Sequence, residues 1–88
     1  MEIMTITFTS TSPKSEQSVF ESTQFYNEFA RLNNWNIKLD VDNKAVRIDG
    51  FLTAQSLDVS DIFKQISIVL PNCQSLIVKD SIGNYKTK

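Results

Sequence analysis

Residues 35–52 read WNIKLDVDNKAVRIDGFL, and apolar side chains alternate with polar ones on both sides of a turn signal. A period of two is typical of strands with one buried face. The segment Asp42-Asn43-Lys44 predicts the turn, because Asp and Asn tolerate left-handed backbone angles and bond nearby backbone groups. We therefore expect a β-hairpin. Its buried face would carry Trp35, Ile37, Leu39, Val41, Val46, Ile48 and Leu52, and its open face Asn36, Lys38, Asp40, Arg47, Asp49 and Phe51.

Upstream of the hairpin, the sequence predicts one strand and one helix. Residues 3–9 alternate apolar side chains with threonine, and their β-branched content favours a strand. Residues 19–32 repeat apolar side chains at helical spacing. Two helix starts are open: Ser12 as N-cap with Pro13 in the first turn, or Ser18 as N-cap at capping-box spacing from Glu21. The predicted buried stripe contains Val19, Ser22, Phe25, Tyr26, Phe29, Ala30 and Leu32, and Asn33-Asn34 ends the helix.

Downstream, residues 53–57 are expected to connect the hairpin to a second helix. Asp58 to Asp61 can cap this helix with acidic groups at its positive end. Its apolar positions recur every three or four residues, and Pro71 stops it. A short strand follows at residues 76–78. Residues 81–88 are either a frayed tail or a short extra strand anchored by Tyr85.

The order of these elements indicates the architecture. Right-handed crossovers, applied to each strand-helix-strand unit, place the first and third strands side by side. We therefore predict an α+β two-layer sandwich of the ferredoxin-like βαββαβ type. It would have a four-stranded antiparallel sheet with both helices on one face, in a single domain at residues 1–80 with a polar tail at 81–88.

The composition disfavours nucleic acids and membranes as partners. Nine basic and ten acidic residues in 88 leave a formal charge of -1, without the basic stripe that neutralises phosphates. The N-terminus lacks the pattern of a signal peptide. No apolar segment is close to the length of about 20 residues that a helix needs to span a bilayer. A single cysteine excludes an internal disulfide. A cytoplasmic location is the expectation.

Several kinds of chemistry lack their residues in this sequence. The absence of histidine removes the commonest general base and metal ligand, and one cysteine cannot form a usual zinc site. Two glycines cannot build a glycine-rich phosphate loop. Cys73 has no histidine partner and is interpreted as a structural thiol. We therefore expect no catalytic residues, no cofactor and no metal, and hence not an enzyme.

The hairpin and the elements after it loosely resemble the BON domain. The resemblance runs from Ile37 to Asn43 and from Val46 to Gly50, followed by a helix and a strand, and covers about half of the chain. It implies an envelope module associated with membranes. Lys44 stands where that family usually has glycine, and the first strand is additional, so we do not assign the chain to it.

Two functional hypotheses remain. The first is a small protein-binding module of the inhibitor, immunity or adaptor type, which acts by occupying the surface of a partner protein. The Lys-, Asn-, Ile- and Ser-rich composition indicates a bacterial or phage gene. The candidate partner-binding residues are Lys38, Arg47, Asp49, Phe51 and Ile77 on the open sheet face, and Phe20 and Ile68 on the helices. The alternative is a homodimer that pairs through the open sheet face or the edge strand containing Lys38.

Overall fold

The computed structural model describes residues 3–32, 34–55 and 58–88. It contains five strands and two helices. In chain order these are β1 (Ile3–Pro13), α1 (Glu16–Phe29), β2 (Trp35–Val41), β3 (Ala45–Gln55), α2 (Val59–Val69), β4 (Ser75–Asp80) and β5 (Tyr85–Thr87). The class is α+β. The predicted connector at residues 53–57 is wrong for its first three residues, because residues 53–55 pair with β1 and belong to β3. The predicted helix end at Asn33-Asn34 is late, since α1 ends at Phe29. Asn33 and residues 56 and 57 lie outside the described residues.

All five strands form one antiparallel sheet in the order β2-β3-β1-β4-β5. The first and third strands are neighbours, which is the adjacency that the crossover rule predicts. The prediction of four strands is wrong by one, because residues 85–87 pair with β4. The strands β2 and β5 therefore form the two edges, and β4 lies inside the sheet.

The start of α1 differs from both predicted starts. β1 continues to Pro13, and Ser15 is the N-cap. The Ser15 hydroxyl accepts a hydrogen bond from the Ser18 N–H at 3.0 Å, and the Ser18 hydroxyl accepts one from the Ser15 N–H at 2.9 Å. This is a capping box with serine in place of the usual Glu or Gln. Ser18 is thus the third helical residue rather than the cap.

A cluster of aromatic rings joins α1 to the sheet. Phe8 on β1, Phe25 and Phe29 on α1 and Trp35 on β2 are buried, and their ring centroids lie 4.6 to 6.3 Å apart. These separations are those of favourable aromatic pairs. Ile62 and Ile66 of α2 belong to the same core, so both helices cover one face of the sheet.

Several side chains predicted to be buried are exposed. Tyr26 lies on the solvent side of α1, and Ala30 and Leu32 follow the last helical residue, Phe29. Val41 is also exposed at the end of β2. The predicted stripe was too wide at Tyr26, which lies inside α1 but is partly exposed, and too long at Ala30 and Leu32, because it continued the helical period past Phe29.

Besides its pairing with β4, β5 is attached to the remainder of the fold by Lys86 and by Lys88, the residue that follows the strand. Lys86 Nζ lies 5.2 Å from the centroid of the Phe63 ring on α2. Lys88 Nζ donates a hydrogen bond to the Cys73 carbonyl at 2.7 Å, and the Lys88 N–H donates to Leu76 O at 2.9 Å. Tyr85 is largely exposed, so the expectation that it anchors this strand is wrong.

Candidate functional site: the open face of the sheet

The sheet face away from the helices is organised in rows that cross the strands. The strand registers give three rows that each cross at least four strands. The first contains Asn36, Phe51, Thr7, Lys79 and Tyr85; the second Lys38, Asp49, Thr9, Ile77 and Thr87; and the third Asp40, Arg47, Thr11 and Ser75. We call this surface the open face. It brings together all five candidate residues that the sequence placed on the sheet.

The Asp49 carboxylate is held at the centre of the open face by two donors. The Thr9 hydroxyl donates to Asp49 Oδ1 at 2.9 Å, and Arg47 Nε donates to Asp49 Oδ2 at 2.8 Å. Lys38 lies opposite Asp49 on β2, and Asp40 lies opposite Arg47. The charges therefore alternate along and across the hairpin, as expected for a charge ladder rather than for a pair of catalytic carboxylates.

Two apolar side chains of the open face lie on β3 and β4, the strands that flank β1. Phe51 on β3 is 43% exposed and lies opposite Thr7, whereas Ile77 on β4 is 36% exposed and lies opposite Thr9. Their strands are separated by β1 and their partners on β1 are two residues apart, so the two side chains are roughly 12 Å apart on the diagonal across the sheet. Shallow depressions beside each of them share Thr7 and Thr9 in their lining. The open face thus carries two separate exposed apolar side chains among polar and charged ones.

The two remaining candidate residues lie in the helical layer. Phe20 on α1 is 64% exposed, and Ile68 on α2 is 73% exposed. The side chain of Phe20 is thus exposed rather than packed against the edge of the helix. Because both helices cover the other face of the sheet, a flat partner surface that contacts Phe51 cannot at the same time contact Phe20 or Ile68.

Three neighbours of the candidate residues on the open face were not themselves among the candidates predicted from the sequence. Asn36, Thr7 and Lys79 lie in the same row as Phe51. The position of Asn36 could have been predicted from the hairpin turn. A turn that pairs Val41 with Val46 also places Asn36 opposite Phe51. No local signal gives the register of β1 against β3, because the whole of α1 and β2 lies between these two strands in the sequence.

The described residues offer no other constellation of reactive groups. None of them form a group of three or more histidine, cysteine, aspartate or glutamate side chains placed to hold a metal ion. Cys73 is buried beneath the start of β4, as a structural thiol would be. In the part of the chain that the structure describes, no helix combines the length and apolar character needed to cross a membrane.

Comparisons of this chain with protein-family models, with curated proteins and with solved structures find no match. The resemblance of the hairpin to the BON domain therefore gains no support. The function has to be argued from the surface itself.

Proposed function

We propose that this chain is a non-enzymatic protein-binding module of the inhibitor, immunity or adaptor type, and that its open face is the binding surface. The observation that carries the proposal is the pair Phe51 and Ile77, exposed on either side of β1 and surrounded by polar groups. Interfaces commonly combine an apolar centre that contributes most of the binding energy with a polar rim.

The rigidity of the open face supports this assignment. Its central side chains project from β3, β1 and β4, the three inner strands of a sheet whose other face is filled by the core. The Asp49 carboxylate is fixed by Thr9 and Arg47. A surface that is ordered before binding loses little conformational entropy when the partner arrives. We also propose that the order β2-β3-β1-β4 is the ferredoxin-like arrangement, to which β5 is added beside β4.

The charges indicate the chemistry of the partner. The ion pair with Asp49 uses Arg47 Nε, and among the described residues no hydrogen bond occupies the terminal guanidinium nitrogens. These nitrogens can bind a carboxylate with two parallel hydrogen bonds. Lys38 and Lys79 add two further cations to the same face. The matching partner is a protein that inserts an apolar side chain between Phe51 and Ile77 and places an acidic side chain at Arg47.

An affinity pull-down of the tagged protein from bacterial lysate, read by mass spectrometry, tests the proposal and identifies the partner. The pull-down is repeated with Arg47→Glu, which opposes an acidic partner. We expect capture of one stoichiometric partner by the wild type and its loss in the variant, whose folded state is verified by circular dichroism because the variant also loses the ion pair with Asp49. Equal capture by both proteins would contradict the assignment to the open face.

A further inference from the structure

The strand β2 is an edge of the sheet, and its hydrogen bonds to β3 show which backbone groups lie on its outer side. The Asp42 N–H donates to Ala45 O at 3.0 Å, and the Thr53 N–H donates to Asn34 O at 3.0 Å. In an antiparallel ladder, hydrogen-bonded pairs alternate with pairs that are not hydrogen-bonded. The even-numbered residues of β2 therefore bond to β3. The N–H and C=O groups of Ile37, Leu39 and Val41 are directed away from the sheet.

This outer row is available for another strand, because β2 has no neighbour on that side. The Trp35 N–H donates to Leu32 O, but among the described residues no turn, loop or cap hydrogen bond involves the backbone of Ile37, Leu39 or Val41. An unpaired row of this kind is a template for a further strand. The side chains of Ile37 and Leu39 are half-buried, and Val41 is 42% exposed. The edge thus combines free backbone groups with incompletely covered apolar side chains.

The sequence of β2 matches a second copy of itself. Consider two antiparallel β2 strands related by a two-fold axis at Leu39. Leu39 then pairs with Leu39 of the second copy, and Ile37 pairs with Val41, and all of these residues present outward backbone groups. Lys38 lies opposite Asp40 of the second copy, and opposite charges directly across a strand pair are stabilising. This register thus satisfies both the backbone and the charges.

The two neighbouring registers each place one pair of like charges directly opposite each other. An axis at Lys38 places Lys38 against the same lysine of the second copy, and an axis at Asp40 does the same with two aspartates. Like charges directly opposite each other are destabilising. A lysine on an edge strand normally discourages pairing. The axis at Leu39 is the arrangement in which Asp40 of the second copy offsets this effect.

The charge ladder of the hairpin also continues through this axis. Within one copy, Arg47 lies opposite Asp40 and Lys38 lies opposite Asp49. Across the axis, the order becomes Arg47, Asp40, Lys38 of the second copy and Asp49 of the second copy. Positive and negative charges alternate over four strands. Salt therefore weakens this contact, because exposed charge pairs are screened.

We propose that the protein forms a homodimer by antiparallel pairing of its β2 strands about a two-fold axis at Leu39. The two five-stranded sheets join into one continuous sheet, with both open faces on the same side. The dimer goes beyond the proposed partner binding and does not depend on it, since Phe51 and Ile77 take no part in the contact.

Two charge reversals that complement each other test this register. Lys38→Glu puts two acidic groups across the axis in its own homodimer, and Asp40→Lys puts two basic groups there. In a mixed dimer of the two variants, the introduced glutamate faces the introduced lysine, and the unchanged Asp40 of one chain faces the unchanged Lys38 of the other. Both positions are exposed, so each variant is expected to fold, which circular dichroism and thermal melting verify.

Molar mass is measured by light scattering at high micromolar concentration and low salt. We expect a dimer for the wild type, a monomer for each variant alone, and recovery of the dimer in their equimolar mixture. A monomeric wild type would overturn the proposal. So would a dimer that persists in both separate variants, because such a dimer uses another surface.

Discussion

The ring of Phe8 lies against the backbone of Gly50, its direct partner across β1 and β3. A Cβ atom added at Gly50 would be 2.7 Å from Cζ of Phe8 and would also collide with the backbone oxygen of Asn36. Gly50 therefore provides the space in which the aromatic cluster reaches the hairpin. Its place in the strand follows from packing rather than from a special backbone angle.

The first prediction concerns this contact. Gly50→Ala should lower the free energy of unfolding by about 1–3 kcal/mol, the usual cost of overpacking a core. Urea denaturation followed by the fluorescence of the buried Trp35 measures the change. Gly83→Ala is the matched control, because Gly83 has a φ of 105° and no atom within 4 Å of an added Cβ. The loss of stability in Gly83→Ala should come from backbone strain alone. Because the packing around Trp35 is not changed, the native protein should keep the emission wavelength of the wild type.

The cap of α1 gives a second prediction. Ser15→Ala removes the side-chain oxygen that accepts the Ser18 N–H and should cost about 1 kcal/mol of stability. Thr23→Ala on the exposed side of the same helix changes helix propensity but no cap and should be neutral or slightly stabilising. A destabilisation by Ser18→Ala with no effect of Ser15→Ala would contradict the assignment of the cap.

The hairpin turn makes stability depend on pH. Hydrogen bonds from the N–H groups of Lys44 and Ala45, each 2.7 Å long, hold the pKa of the Asp42 carboxyl below its ordinary value of 3.8. The fold therefore favours the ionised form of Asp42. The stabilisation that this carboxylate provides is present at pH values above its ordinary pKa and is lost as the pH falls through its lowered pKa in the folded state.

Asp42→Asn keeps an acceptor oxygen but removes this charge. The variant should melt below the wild type at pH values well above 3.8, and the difference should shrink as the pH falls well below that value. Thermal melting of the two proteins across this range checks the prediction, and the other carboxyl groups cancel in the comparison. A difference that is constant with pH would show that the charge of Asp42 does not contribute.

Local patterns were sufficient for much of this fold. The alternation through Trp35 and Phe51 predicted the hairpin, its buried face and its open face. The spacing of apolar residues and Asp58 predicted α2 and its cap. These features depend on contacts between residues close in sequence, and the periodicity of each element records which face is buried.

Other features depend on contacts that no local pattern records. The extension of β1 to Pro13 arises because residues 10–13 pair with β3 from residue 48 back to Ala45, and this pairing moves the helix start to Ser15. β5 forms because residues 85–87 pair with β4 after a turn, and Lys86 then lies over the ring of Phe63 on α2. The five candidates predicted for the sheet lie on the open face, and the two predicted for the helices lie on α1 and α2. Whether they bind a partner is a property of that partner as well.

The two layers of the fold provide matched variants for the central claim that the open face binds another protein. Phe51 and Phe20 are both exposed phenylalanines, the first on the open face and the second on α1. Ile77 and Ile68 form the equivalent aliphatic pair. Truncation of either member of a pair removes the same side chain from a different surface, so general effects on solubility cancel.

The most direct measurement is the affinity of the captured partner for Phe51→Ala and for Phe20→Ala, determined by isothermal titration calorimetry beside the wild type. We predict that Phe51→Ala weakens binding by at least about tenfold, equivalent to about 1.4 kcal/mol, and that Phe20→Ala binds as the wild type does. Loss of binding in Phe20→Ala with full affinity in Phe51→Ala would contradict the account and place the binding surface on the helices.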